Sequence, residues 1–450
     1  MTVTAWLDAT FGIGARGSSV RTEVLAGVTT YMAMSYIILV NPAVLSTTGM
    51  NSGAVLGATC FASALATLWM GLSANYPIAL APGMGQNFFF ALTICGPVAL
   101  GGYGYGFREA LAAVVVAGGL FVVASIWKLR ARIIASVPDH LKRSMGVGIG
   151  FLIAIVGLRW GGIVTSVPGT YIGLGNLEAP AAILTLFGLA VTSILLVLGV
   201  SAALLIGILS STLVAVLLGL TRFEGVFGLP EGVVSYFLVA DFEGLFRQRE
   251  VLAVIFVVLL VDLFDTVGTL IGVTERAGLT VEGQLPKARE AFLADAAGSV
   301  AGGLLGTSTV TSYVESAAGV SAGGRTGLAS VVTSVLLAGS VFFYPLLRVV
   351  GGGLQDEAGA TLYPTLAPAL ILVGVFMMAG VERIDWSKTR DAIPAFLTVI
   401  MMPLTTSITE GIAFGFISTS ILYLAGGRAR DLHWATHVIA AFFLARYVWL

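Results

Sequence analysis

Charge is scarce in this chain. Only 10% of its 450 residues are Asp, Glu, Lys or Arg, while 57% are hydrophobic. A soluble domain carries about 25% charged residues, so the composition excludes one and indicates a polytopic membrane protein. The net charge of −1 offers no basic surface for nucleic acid. Cysteine is nearly absent. Cys60 and Cys95 both lie in apolar runs, so no disulfide framework is expected, and they lack the spacing of a metal site. Histidine is confined to His140, His433 and His437. The last two stand four apart, but no Glu follows His433, which removes the metalloprotease pattern. No metal is expected. GxxxxGK[ST] is missing, so the chain encodes no ATP-driven step. No Ser–His–Asp constellation is visible, and covalent catalysis is not expected. Residues 1–19 form a short, mildly polar tail with no evident signal peptide.

Glycine is abundant, at 57 positions. In membrane bundles small residues let helices approach closely. A spanning helix needs about 20 apolar residues. Full spans are predicted near 23–43, 55–72, 107–127, 143–164, 180–199, 201–220, 251–273, 290–306, 327–347, 363–381, 391–408 and 409–426. Two further apolar segments, 76–97 and 307–323, are interrupted by Pro or Gly. The reading is an all-α protein with fourteen crossings or part-crossings. The apolar, aromatic tail 432–450 reads as an interfacial helix, with a partial span as the alternative.

Basic residues orient the chain, since they favour cytoplasmic connections. With the N-terminus inside, most of the 23 fall on the inner side. They are Arg16 and Arg21, the cluster Lys128, Arg130, Arg132, Lys142 and Arg143, then Arg276, Lys287, Arg289, Arg325, Arg383, Lys388, Arg390, Arg428 and Arg430. Both termini are therefore expected in the cytoplasm. The longest external connection, 221–250, carries Glu224, Glu231, Asp241, Glu243 and Glu250 and divides the chain. The halves look related. Ala62-Ser63-Ala64 precedes Gly71-Leu72 as Ala294-Asp295-Ala296 precedes Gly303-Leu304, and each is followed by a broken segment. Paired broken segments mark an inverted-repeat transporter with its site at the interface.

Glu315 lies in the second broken segment, among Thr307, Ser308, Thr309, Thr311 and Ser316. A lone carboxylate at membrane depth suggests a substrate or proton site. The blander reading is a helix cap or a partner for Arg325. In the first broken segment Pro77, Pro82, Gly83 and Gly85 interrupt the helix, before Gln86, Asn87 and Phe88 to Phe90. An amide donates and accepts, and an aromatic ring can stack on a flat ligand. The duller alternative turns the rings to lipid and the amides to neighbouring helices. Asp262 and Asp265, three apart on one helix face, are two more acids in an apolar run. Proton carriage or sodium coordination would each explain them. Asp295 is a fourth intramembrane acid, for which a structural hydrogen-bonding role is as good a reading.

Five stretches carry a family resemblance: TTYMAMSYIILVNP (29–42), MGLSANYPIALAPGMGQNFFF (70–90), DLFDTVGTL (262–270), GTSTVTSYVESAAGVSAGGRTGL (306–328) and AIPAFLTVIMMPLTTSITEGIAFGF (392–416). The sequence resembles the nucleobase:cation symporter-2 superfamily, in its AzgA-like hypoxanthine/guanine/adenine permease branch. The resemblance implies a seven-plus-seven inverted repeat with a short strand in segments 3 and 10. It implies a core domain (20–137 and 251–350) that moves against a gate domain (138–250 and 351–427), between the tails 1–19 and 428–450. The substrate would be a purine nucleobase, driven by protons without a cofactor, and the chain a homodimer in the cell (inner) membrane. Glu315 would bind the base, with Asp262 or Asp265 as the span-8 acid. Asn87, Ser316, Gly85 and Phe88 would complete the substrate site. Asp262, Asp265 and Asp295 are the candidates for proton coupling. Gln86 stands where Leu is more usual, a local difference that would tune the pocket. A channel or exchanger for anions, which shares this general fold, is the competing expectation. It predicts a basic residue at the junction of segments 3 and 10.

Overall fold

The computed structural model describes residues 3–127, 136–167, 172–223, 225–230, 232–280, 285–355, 359 and 361–449. Lys128, Arg130, Arg132, Glu224 and Glu231, used above for orientation, lie outside the described residues. Helix α1 (Val3–Phe11) precedes α2 (Val20–Met34), α3 (Ile37–Ser46) and α4 (Ser52–Trp69). Strand β1 (Leu80–Pro82) and α5 (Met84–Phe88) form the first broken segment, followed by α6 (Phe107–Ile126). Next come α7 (Asp139–Trp160), the hairpin of β2 (Val164–Thr165) and β3 (Gly173–Leu174), α8 (Pro180–Val197) and α9 (Ala203–Leu217). The long connection contains α10 (Phe242–Arg247) and leads to α11 (Val251–Arg276) and α12 (Ala288–Leu305). Strand β4 (Val310–Ser312) and α13 (Ser316–Ser321) form the second broken segment, before α14 (Gly327–Gly339) and α15 (Tyr344–Val350). A hairpin of β5 (Leu354–Gln355) and β6 (Thr361–Leu362) precedes α16 (Ala367–Met377), α17 (Thr389–Thr405), α18 (Ile408–Ala425) and α19 (Trp434–Trp449).

Among the described residues, seven helical stretches are long and apolar enough to cross a membrane. They are Val20–Ser46, Ser52–Ala74, Phe107–Ile126, Asp139–Trp160, Pro180–Val197, Val251–Arg276 and Ile408–Ala425. The other expected full spans form shorter or more polar helices: α9, α12, α14, α16 and α17.

The helices sort into two packing groups. In the first, α2 and α4 pack on α14, α6 packs on α11 and α12, and the broken segments lie between them. In the second, α7 packs on α16 and α17, α8 packs on α9 and α16, and α18 packs on α17. Lipid gives apolar helices no hydrophobic reason to associate, so close fit must do it. Gly71 and Gly327 show how close: a Cβ added to Gly327 would sit 1.9 Å from the Gly71 carbonyl oxygen.

The packing of the C-terminal tail fits a partial span, the alternative to the interfacial reading. Helix α19 lies along α18 and runs antiparallel to it. His437 Nδ1 is 2.8 Å from Ser420 Oγ near one end, and Arg446 pairs with Glu410 near the other. Its Thr436, Ala440 and Phe443 are buried. Small and aromatic residues on one face of α19 give it a packing surface, so it docks on protein as well as facing outward.

Candidate functional site

Two three-residue strands at the centre of the first group organise the site. β1 pairs antiparallel with β4, with Leu80 opposite Ser312, Ala81 opposite Thr311 and Pro82 opposite Val310. The Gly83 amide donates to the Thr309 carbonyl (3.0 Å) and the Tyr313 amide to the Ala79 carbonyl (2.9 Å), extending the ladder. The strand that the resemblance implies in each broken segment is therefore present. Pro77, Pro82 and Gly83 stop a helix through 76–83. The β-branched run Thr307–Thr311 suits extended backbone.

Non-helical backbone at membrane depth needs internal partners, and side-chain hydroxyls supply many of them. Thr67 Oγ1 accepts from the Leu80 amide (2.9 Å) and lies 3.0 Å from its carbonyl. Ser316 Oγ accepts from the Ala79 amide (3.0 Å). Ser330 Oγ lies 2.7 Å from the Tyr76 carbonyl and 3.0 Å from that of Ile78. Asn41 donates to Thr59 (2.7 Å) and Thr307 (2.8 Å), and Ser308 donates to Asn87 Oδ1. Buried Glu23 accepts from the amides of Arg325 (2.9 Å) and Thr326 (3.2 Å). Much of the polarity of these segments is thus consumed in holding their own backbone.

Beside the strands lies a cavity of ≈ 400 Å³, within the range of small-molecule sites. The first group contributes Gly85, Gln86, Asp265 and Glu315; the second contributes Met145, Ile149 and Phe376. Glu315 immediately precedes α13 and is half-buried. Its Oε1 accepts from the Tyr36 hydroxyl at 2.6 Å. Tyr36 stands between α2 and α3, where the first span breaks. Arg325 does not pair with Glu315: its guanidinium donates to the carbonyls of Val320 and Gly324, at 2.7 Å each. Asp265 is also half-buried, and its Oδ2 accepts from Gln86 Nε2 at 3.3 Å.

The other sequence candidates are placed elsewhere. Asp262 is 1% exposed and does not line the cavity. Its Oδ2 accepts from the Ser299 hydroxyl of α12 (2.8 Å). Asp295 is fully buried and accepts from the Thr266 hydroxyl (2.6 Å) and from both the amide and hydroxyl of Ser312 (2.8 Å each). These two acids brace α11 and α12 against β4, behind the cavity wall. Asn87 and Ser316 are buried in the ties already described. Phe88 is 1% exposed, its ring 6.3 Å from that of Trp160. Gly85 does line the cavity, where a Cβ would meet Ile149 Cγ2 at 2.8 Å.

Sequence reasoning missed Tyr36, the apolar wall from α7 and α16, and the lining ring Phe264. Tyr36 sits in the 29–42 motif, but spacing gives no sign that it reaches across the fold to Glu315. Gln86 was legible as an amide that would tune the pocket, while the resemblance put the substrate contact on its neighbour Asn87. Chemically, two carboxylates on a largely apolar cavity wall can accept N–H donors, and Phe264 and Phe376 offer ring surface. Among the described residues no group of three or more His, Cys, Asp or Glu is arranged to hold a metal.

A family described as a permease family (Xan_ur_permease) matches residues 21–414. The chain is 41% identical to the guanine/hypoxanthine permease PbuO of Bacillus subtilis, over 96% of this chain and 98% of that one. It is 38% identical to the adenine permease AdeP of Escherichia coli, over 99% and 96%. Among solved structures, the transmembrane domain of a cyanobacterium bicarbonate transporter, BicA, superposes with a TM-score of 0.62 at 17% identity. That match covers 89% of this chain and 97% of that one.

Proposed function

The chain belongs to this permease family, a family of transporters and not of enzymes, and on that premise we propose that it imports purine nucleobases by proton symport. The observation that carries the reading is the pair Glu315 and Asp265 facing one cavity between the two packing groups. Relatives named for guanine, hypoxanthine and adenine support the substrate class. A purine presents ring N–H groups beside an exocyclic oxygen or amine, on a flat apolar body. Glu315 and Asp265 accept the N–H bonds, and Gln86 supplies an amide within reach. A site built to hydrogen-bond its ligand rejects analogues that leave its groups unpaired.

Asp265 is the acid in this reading that both meets the base and takes the proton, because it opens to the cavity. Asp262 and Asp295 set its surroundings through α12 and β4. The first packing group corresponds to the core domain (20–137 and 251–350) and the second to the gate domain (138–250 and 351–427). Alternating access moves one against the other in a seven-plus-seven repeat. The chain sits in the cell membrane with its N-terminus cytoplasmic, as a homodimer through the gate.

The anion reading is weaker. The likeness to a bicarbonate transporter is one of fold alone. Lys142 does reach the cavity lining, but it already pairs with Asp139 at 2.9 Å. Anion binding would leave two carboxylates facing a negative ligand.

Uptake of labelled hypoxanthine in cells, competed by adenine, guanine, xanthine and uracil, tests the proposal. Purines are expected to compete and uracil not to, and a proton uncoupler is expected to stop uptake while removal of sodium leaves it unchanged. Sodium-dependent uptake would overturn the proton coupling, and competition by uracil alone would overturn the purine class. Glu315→Ala is expected to abolish uptake while the protein still reaches the membrane; normal uptake by that variant would remove the site assignment.

A further inference from the structure

We propose that Arg446, near the end of the C-terminal helix, closes the transport path on the face opposite the cavity mouth. Arg446 is 11% exposed and holds two carboxylates, each 17% exposed. Its Nε donates to Glu250 Oε2 and its Nη1 to Glu410 Oε1, both at 2.7 Å. Glu250 immediately precedes α11, the helix that carries Asp265. Glu410 lies in the first turn of α18. One guanidinium therefore ties the first packing group to the second. Tyr447 also donates to Glu410 Oε2. The guanidinium lies 5.4 Å from the centres of the Tyr103 and Tyr447 rings, within cation–π range. Tyr103 belongs to the turn after the first broken segment, which adds a second contact to the first group.

The position of this cluster gives it a role. Glu250 lies about 22 Å from Asp265 along α11, counted by helix rise. The cavity instead reaches Lys142 in the first turn of α7 and Gly380 beyond α16. The start of α7 packs near the far end of α18, where His140 Nε2 is 3.0 Å from Thr419 Oγ1. Lys142 and Glu410 are thus near opposite ends of α18. The cavity opens toward one face, and Arg446 ties the groups together at the other. Helix α19 reaches that face from the opposite one, since Thr436 at its start donates to the Ser136 carbonyl just before α7 (2.7 Å). It crosses the bundle and ends opposite the end where α7 begins, which departs from the expectation that both termini lie in the cytoplasm. A guanidinium shared between two carboxylates and shielded from water is costly to remove, because both charges are then left unpaired. It therefore favours the state in which the path is shut on this side.

The inference rests on the reading that the two groups move, but its test needs no substrate. Cys95 lies beside the Tyr103 turn, where Tyr103 N donates to the Thr93 carbonyl at 2.7 Å. Cys60 is the other cysteine and is fully buried. In sealed vesicles a membrane-impermeant maleimide applied at the Arg446 face is expected to label Cys95 slowly. Arg446→Gln is expected to speed labelling by about ten-fold, a modest population shift. Arg446→Lys should restore part of the protection, and Cys95→Ser should remove the signal. Glu250→Gln, which cuts only one arm, should give an intermediate rate and serves if Arg446→Gln does not fold. Unchanged labelling in a folded variant of either kind overturns the proposal. Tags on the N- and C-termini are expected to be reached by antibody from opposite faces; exposure on the same face overturns it as well. If labelling responds but purine uptake is absent, the closure stands and the transport reading fails.

Discussion

At the scale of single residues, the four intramembrane acids divide into two pairs with different surroundings: Glu315 and Asp265 line the cavity, and Asp262 and Asp295 are buried between helices. Asp262 and Asp265 are three positions apart, so their helix faces nearly coincide and sequence cannot separate them. Packing does: α12 brings Ser299 to Asp262, while Asp265 is left open to the cavity. Glu315, which lines the cavity, stood out in the sequence because a lone carboxylate among hydroxyls at membrane depth is costly. The ties of Asn87 to Ser308 and of Ser316 to the Ala79 amide were not legible, because composition shows a polar group without its partner. The two acid classes should respond oppositely to mutation. Asp265→Asn is expected to leave the thermal transition in detergent nearly unchanged while purine uptake falls to background. Asp295→Ala strands buried donors on Thr266 and Ser312, each worth roughly 1–3 kcal/mol when unpaired. It is expected to lower the melting temperature clearly. An Asp295→Ala protein of normal stability without uptake would instead make Asp295 a coupling residue.

Single elements were read with mixed success, for physical reasons. The long apolar helices α6, α7, α8 and α11 follow directly from run length. The broken segments were legible from Pro77, Pro82, Gly83 and the β-branched run before Ser312. Their pairing across more than half the chain was not, because two three-residue strands carry no register signal of their own. The tail's packing was not legible because an apolar, aromatic helix suits an interface, a partial span and a protein surface equally. Contacts of α19 with Ser136, Ser420 and Glu410 settle its partner. The crossing of segment 2 with α14 makes the sharpest demand on an element. Because a Cβ on Gly327 would meet the Gly71 carbonyl at 1.9 Å, Gly327→Val must push two helices apart. Overpacking of this kind costs typically about 1–3 kcal/mol and occasionally more. The variant is expected to accumulate poorly and elute as aggregate in size-exclusion chromatography, whereas Gly339→Ala, with open space around it, should behave as the parent.

At the scale of the whole molecule, the cavity lies between two packing groups whose relative motion would open it to either face. The apolar wall from α7 and α16 was invisible in the sequence, since Met145, Ile149 and Phe376 resemble any lipid-facing residues until a fold sets them opposite the acids. A close approach across the cavity provides a way to stop the motion. A Cβ on Gly85 would lie 4.0 Å from Ile149 Cβ, inside the range for a disulfide. Gly85→Cys combined with Ile149→Cys is expected to cross-link under mild oxidant and halt uptake, with recovery on reduction. Uptake that continues through the cross-link would exclude motion of one group past the other at this point. The central claim is that Glu315 and Asp265 together hold a purine. Equilibrium binding of labelled hypoxanthine to the purified protein in detergent tests it most directly, without a gradient or a transport cycle. The parent should bind saturably, and folded Glu315→Gln and Asp265→Asn proteins should each lose at least about ten-fold in affinity, as expected when one hydrogen bond to a charged group is removed. Binding by both variants with parental affinity would contradict the account.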